Sequence, residues 1–253
     1  MTDRAVNDPA PERIAKRIAR AGLCSRREAE RWIAAGRVAL DGRILTSPAV
    51  TVGEDARISI DGTPLPAPKT TGLWRYHKPV GLVTSHRDPE GRPTVFERLP
   101  AHLPRLISIG RLDIGSEGLL LLTNDGALAR RLELPATGWI RRYRARVYGA
   151  VDDGALAKLA RGIRVAGIDY GPIAAALDRR TGRNAWLTVS LREGKNRELR
   201  RVLEHLGLEV SRLVRIAYGP FQLGKLAPGA VAKVSAKVLR DQLGPGARAP
   251  SAR

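Results

Sequence analysis

Asp113 closes the run Gly110-Arg111-Leu112-Asp113, which follows the apolar stretch Leu106–Ile109 and precedes a second one, Leu119–Leu122. Both stretches, like Leu73–Tyr76, read as short buried strands, so the carboxylate falls on a loop between core elements. Burying an unpaired charge is expensive. Asp113 therefore caps a turn, pairs with Arg111, or is exposed at a cleft where it could do chemistry. Glu117 lies close by, and paired carboxylates are the tools of glycoside hydrolysis, although that chemistry leaves the charge of this chain unexplained.

Two other runs carry reactive or charged groups in a regular pattern. Tyr143, Ala145 and Val147 alternate with Arg142, Arg144 and Arg146 in period two, which predicts a strand with one apolar and one strongly basic face. Tyr143 alone reads as a core aromatic whose hydroxyl finds a partner. From Asn196 to Leu206, Leu199, Val202, Leu203 and Leu206 fall at helical spacing, with Gly207 as the stop. Arg197, Arg200 and Arg201 then lie near the borders of the apolar stripe, where a solvated basic face is the plain reading.

The elements that must position these groups belong to a chain of 253 residues, 43% hydrophobic, enough for one large domain and a small one. Forty-four Lys and Arg against 25 Asp and Glu give a formal charge of +19, a field that attracts polyanions, nucleic acid first. Leu119–Leu122 is the longest run of large apolar residues, far short of the roughly 20 residues that span a bilayer. Met1–Pro11 reads as a short leader without the apolar core of a signal peptide, and a cytoplasmic location is expected. The single Cys24 excludes an internal disulfide, and His77, His86, His102 and His205 show no metal-ligand spacing. With no P-loop or GxGxxG either, neither a cofactor nor a metal is expected.

Pro64, Pro66 and Pro68 mark a spacer over residues 61–72, between a small domain over 12–60 and a large one over 73–240; residues 241–253 read as a basic tail. In the small domain, Ile14 and Ile18 predict a helix ending near Gly22. Ser25 and Glu28 form a capping box for a second helix that Gly36 stops, and Asp41-Gly42 closes a hairpin between Val38–Leu40 and Ile44. Between Glu12 and Arg43, nine basic residues face four acidic ones. Arg26, Arg27 and Arg31 occupy the first turns of the capped helix, where exposed amides and basic side chains suit a phosphate. RIAKRIARAGLCSRREAERWIAAGRVALDG resembles an S4 domain, a small RNA-binding unit, with Arg13, Lys16, Arg26, Arg27, Arg31 and Arg37 as candidate RNA contacts.

RYHKPVGLVTS, SIGRLDIGSEGLLLLTNDGALARRLELP, RRYRARVYG and LREGKNRELRRVLEHLGLEVSRLVRIAYGPFQLGKLAPG resemble the successive motifs of the rRNA pseudouridine synthases, in order, over nearly all of residues 73 to 235. The resemblance implies an α+β fold: an S4-like helix-helix-hairpin domain, then a mixed, mainly antiparallel sheet with a central cleft. It implies isomerisation of a uridine in ribosomal RNA, large-subunit RNA being favoured and small-subunit RNA the alternative. A non-catalytic RNA-binding assembly factor is the rival from another class. Asp113 matches the catalytic aspartate, which attacks C1′ or removes the 2′ proton of a flipped-out uridine. Tyr143 matches a residue that lies against the target base, and Arg200 a basic residue that pairs with the aspartate. Gly110, Arg111 and Leu112 support the loop, Lys195 and Arg197 are further RNA contacts, and Lys78-Pro79 and Gly81 are architecture. Gly115 and Ser116 depart from the polar residue and threonine common in the family. The expected partner is ribosomal RNA or a partly assembled ribosomal subunit, met without a membrane and as a monomer.

Overall fold

A computed structural model describes residues 11–243, which divide into two compact units between Thr71 and Gly72. The expected leader, apart from Pro11, and the expected tail from Gly244 onward lie outside the described residues, whereas residues 241–243, read as the start of that tail, close a helix and bury Leu243.

The first unit runs β1 (Glu12–Arg13), α1 (Ile14–Arg20), α2 (Arg26–Ala34), β2 (Val38–Leu40), β3 (Arg43–Ile44), β4 (Thr51–Val52), β5 (Ile58–Ile60) and β6 (Thr63–Pro64). Ile14, Ile18, Ala29, Ile33 and Val38 are fully buried and hold the two helices on the strands. Ser25 Oγ accepts from the Glu28 amide at 3.1 Å and caps α2. Only this half of the expected capping box is seen, because the Glu28 carboxylate is taken by Arg31. Asp41-Gly42, at φ +49° and +83°, turns β2 into β3 as the sequence predicts.

A second Asp-Gly pair, Asp61-Gly62 at φ +49° and +78°, turns β5 into β6, so the sheet has the order β3-β2-β5-β6. The unit therefore holds two hairpins, and the spacer expected from Asp61 begins later. Pro64 occupies an edge strand, where its missing N–H costs nothing, and Leu65 packs on the core of the unit.

The second unit comprises β7 (Leu73–Lys78), β8 (Ile107–Ile109), β9 (Glu117–Thr123), α3 (Gly126–Glu133), β10 (Arg141–Tyr148), α4 (Asp153–Lys158), β11 (Ile163–Val165), β12 (Ile168–Tyr170), β13 (Ile173–Thr181), β14 (Asn184–Leu191), α5 (Glu198–His205), β15 (Glu209–Tyr218), β16 (Phe221–Gln222), β17 (Val231–Lys233) and α6 (Ala236–Leu243). Nine strands form a mixed, mainly antiparallel sheet in the order β13-β14-β10-β15-β9-β7-β17, with β8 on β9 and β16 on β15. β9 and β15 run parallel and join its two halves. The continuous run Leu119–Leu122 is buried throughout because both faces of β9 are covered. Leu119 and Leu121 pack with residues of α3 and α6, whereas Leu120 and Leu122 pack with Leu82, Val95 and Leu106. Val202 and Leu203 of α5 bury against Ala145, Val147 and Leu187 on β10 and β14.

Candidate active site

The loop from Gly110 to Ser116 leaves β8, turns and enters β9, and its course is fixed through its main chain. The Gly110 amide donates to Glu133 Oε1 at 2.6 Å. Thr84 Oγ1 donates to the Leu112 carbonyl at 2.8 Å, and the Gly81 amide donates to Ile114 O at 2.8 Å. The Ser116 amide donates to Asp113 O at 3.0 Å, closing a turn. Lys78, with no solvent exposure, sends its ammonium to the carbonyls of Pro79 and Asp113, each at 3.1 Å, and of Ser116 at 2.8 Å. Burial lowers the Lys78 pKa to about 8, with Asp113 and Glu117 opposing the shift and Arg215 adding to it.

Asp113 borders a cavity of about 520 Å³ that is also lined by Gly110, Arg111, Leu112, Tyr143, Lys195, Arg197 and Arg200. That volume lies within the roughly 300–1,000 Å³ of small-ligand sites. The fold thus gathers at one opening the catalytic candidates, the loop-support residues and the two RNA candidates of the second unit. Tyr143 enters from β10, and its neighbours Leu191 and Leu213 from the strands either side complete an apolar wall. Arg111 is exposed and makes no ion pair among the described residues, so the reading that joins it to Asp113 does not hold.

Arg200 corrects another expectation. It lines the cavity and feels the charge of Asp113, yet no ion pair joins the two among the described residues. The guanidinium instead donates to Gly115 O at 2.8 Å and Val210 O at 2.9 Å, leaving Nε buried without a partner. Two fixed main-chain acceptors have taken up the planar fork and tie the Asp113 loop to β15. Burial first, then Arg197, pushes the Arg200 pKa below the ordinary arginine value, and Asp113 pulls it back. Gly115 leaves room at this contact, since a Cβ there would meet Arg200 Nη2 at 3.6 Å, an ordinary separation.

Three wall residues escape the sequence reading. Arg215, 2% exposed, lines the cavity from β15, donates from Nε to Leu119 O at 2.7 Å and keeps Nη2 buried without a partner. Its signal was parity: it shares a strand face with buried Leu213 and Ala217. Arg141 donates to the Tyr218 hydroxyl at 2.9 Å. Glu198, 4% exposed, accepts from the Lys195 amide at 2.9 Å through Oε2, while burial raises its pKa.

In the first unit the candidate RNA contacts fall into two groups. Lys16 pairs with Glu12 at 3.2 Å, Arg31 with Glu28, and Arg37 with Asp61 at 2.5 Å. Arg13, Arg26 and Arg27 are exposed, and their side chains make no ion pair or hydrogen bond among the described residues.

Residues 72–205 match the family described as RNA pseudouridylate synthase, and residues 12–58 match the S4 domain. The two matches define a two-module enzyme of the isomerase class, an S4 unit followed by a synthase domain. An uncharacterized RNA pseudouridine synthase of Rickettsia felis is 47% identical over 90% of this chain and 99% of its own length. Ribosomal large subunit pseudouridine synthase B of Salmonella typhimurium is 44% identical over 86% of this chain and 77% of its own. A crystal structure of a pseudouridylate synthase superposes with a TM-score of 0.64 at 26% identity, covering 92% of this chain and 99% of that one. The chain belongs to the RNA pseudouridine synthase family.

Proposed function

We propose that the protein converts a specific uridine of ribosomal RNA, in the large subunit, to pseudouridine, with Asp113 as the catalytic carboxylate. The observation that carries this reading is the placement of Asp113: a loop pinned by Lys78, Thr84 and Arg200 presents it at the edge of a 520 Å³ cavity walled by Tyr143. Its carboxylate has no ion-pair partner among the described residues, so its reactivity is left for the substrate. The resemblance of the chain to a ribosomal large subunit pseudouridine synthase supports the choice of RNA. A cytoplasmic setting accords with that substrate, and no helix among the described residues is long and apolar enough to cross a membrane.

Isomerisation breaks the N1–C1′ bond, turns the uracil within the pocket and joins C5 to C1′, after which C5 gives up its proton and N1 takes one up. The atoms of substrate and product are the same. Asp113 starts the sequence as a nucleophile at C1′ or as the base for the 2′ proton, and both routes require an anion beside the ribose. Tyr143 offers its ring to the unstacked base, which the cavity keeps from escaping while it is detached. Arg200 holds the Asp113 loop against β15.

The test is pseudouridine mapping in large- and small-subunit rRNA incubated with the purified protein, alongside Asp113→Asn. The expected result is one new pseudouridine in the large-subunit RNA, absent with the variant, whose thermal unfolding and RNA affinity stay close to those of the wild type. Substantial turnover by Asp113→Asn on that RNA overturns the assignment of the carboxylate.

A further inference from the structure

Strand β10 has two faces, and the cavity uses one. Arg141 and Tyr143 line the cavity, and Ala145 and Val147 bury beneath α5 on the same side. Arg142, Arg144, Arg146 and Tyr148 point the other way and are all exposed. β14 runs beside them in unbroken antiparallel register, setting Ser190 by Arg142, Thr188 by Arg144 and Trp186 by Arg146. On the other side β15 sets Arg212 directly across from Arg146.

This arrangement is poorly explained by stability. Same-face residues on a strand lie about 6.7 Å apart, so the three arginines repel one another along β10, and directly opposed like charges such as Arg146 and Arg212 destabilise a sheet. Compensation is partial: Asp178 stands 3.4 Å from Arg144, and Glu117 pairs with Arg212. The side chains of Arg142 and Arg146 make no hydrogen bond or ion pair among the described residues. Aromatic rings are interleaved with the charges. Arg144 lies 4.8 Å from the Trp186 ring centroid, and Arg183 lies 4.8 Å from that of Tyr148, which is 42% exposed.

We propose that this reverse face of the sheet is a second RNA-binding surface, which grips the sugar-phosphate backbone of a segment remote from the nucleotide being isomerised. The proposal rests on the RNA reading given above. The spacing of the arginines is close to that of successive phosphates along a strand, and the rings give bases a place to stack. Because the sheet separates this face from the cavity, a short hairpin seated over Asp113 does not reach it. A long, folded RNA does. The surface therefore selects structured RNA by its extent, while the cavity selects the nucleotide.

The experiment compares two triple variants of the full chain with equal loss of charge: Arg142→Gln/Arg144→Gln/Arg146→Gln, and the control Lys158→Gln/Arg161→Gln/Arg164→Gln on α4 to β11. Binding of transcribed large-subunit rRNA and of a short rRNA stem-loop is measured across a salt series, without reading turnover. Each lost phosphate contact lowers the slope of log K against log salt by about 0.7–0.9. The β10 variant should lose about 2 from its slope on the long RNA and little on the stem-loop, and the control should keep the wild-type slope. Equal slopes for the two variants overturn the proposal. If the triple variant fails to fold, Arg142→Gln alone should lower the slope by about 0.7–0.9, and an unchanged slope there overturns it equally. Wild-type binding without pseudouridine formation would sink the proposed reaction and leave this surface standing; pseudouridine formation with an unaltered β10 slope would do the reverse.

Discussion

The buried ammonium of Lys78 donates to the main-chain carbonyl of Asp113 at 3.1 Å, so a cation without solvent exposure holds the residue proposed to carry the reactive carboxylate. It reaches the carbonyl of Ser116 as well, at 2.8 Å, and thereby spans the turn on which Asp113 sits. Three carbonyls converging on three ammonium protons leave no room for an apolar substitute that keeps the loop in place.

Lys78→Met should accordingly lower kcat by on the order of tenfold or more, about 1.4 kcal/mol of transition-state stabilisation, with KM little changed. The pH dependence of stability separates this role from plain packing. Burial holds the folded-state pKa near 8 against 10.5 when unfolded, so between those values the unfolded chain keeps a proton that the native chain has released. Wild-type stability relative to Lys78→Met should therefore rise with pH from about 8 to 10.5, which denaturant melts at pH 7.5 and 9.5 would reveal. A flat difference would show that the ammonium is not held as described.

Tyr143 borders the cavity from β10, and its ring is the surface proposed to meet the base. Tyr143→Ala should weaken the complex with substrate RNA by about 1 to 3 kcal/mol, the stacking contribution of an aromatic platform, whereas Tyr143→Phe should retain most of the affinity. Equilibrium binding with the Asp113→Asn background as a non-reacting host measures both.

Glu198 is buried with Oε1 unpartnered, and burial raises its pKa above the ordinary carboxylate value of 4.5. A raised folded-state pKa gives stability that is present below 4.5 and lost as pH climbs through the folded value. Glu198→Gln preserves an acceptor for the Lys195 amide and removes the ionisation. The variant should melt a few degrees above the wild type at pH 7 and close to it at pH 4, by calorimetry at both.

Gly118, at φ +104°, lets β9 approach β15, and a Cβ there would collide with the carbonyl of Arg215. Gly118→Ala combines that clash with a left-handed backbone and should cost on the order of 2 kcal/mol or more, seen as a lower denaturation midpoint with an unchanged slope.

Much of this architecture was legible from local signals. The Asp41-Gly42 turn, the Ser25 cap and the α5 stripe of Leu199, Val202 and Leu203 follow from short-range rules, and the structure keeps them. The second hairpin was hidden because Pro64, Pro66 and Pro68 signal a spacer more loudly than Asp61-Gly62 signals a turn. At the cavity, the positions of Asp113, Tyr143 and Arg200 emerged from motif resemblance, but the bonds of Arg200 did not. Its partners are main-chain carbonyls at residues 115 and 210, and backbone acceptors carry no side-chain signature. Arg215 and Lys78 illustrate the same blindness: each is a charge at a buried strand position, and only the three-dimensional assembly reveals what surrounds it.

The hydrogen bonds that tie down the loop from Gly110 to Ser116 end on its peptide groups, and Leu112 adds a side-chain anchor in the core beside Leu82 and Leu106. The whereabouts of the carboxylate thus depend on few of the letters around it, chiefly Leu112 in the core and Gly110 at φ +66°. Exposed Ile114 and Gly115 are free to drift, so a lineage, or an engineer, can rewrite this rim of the cavity without moving Asp113.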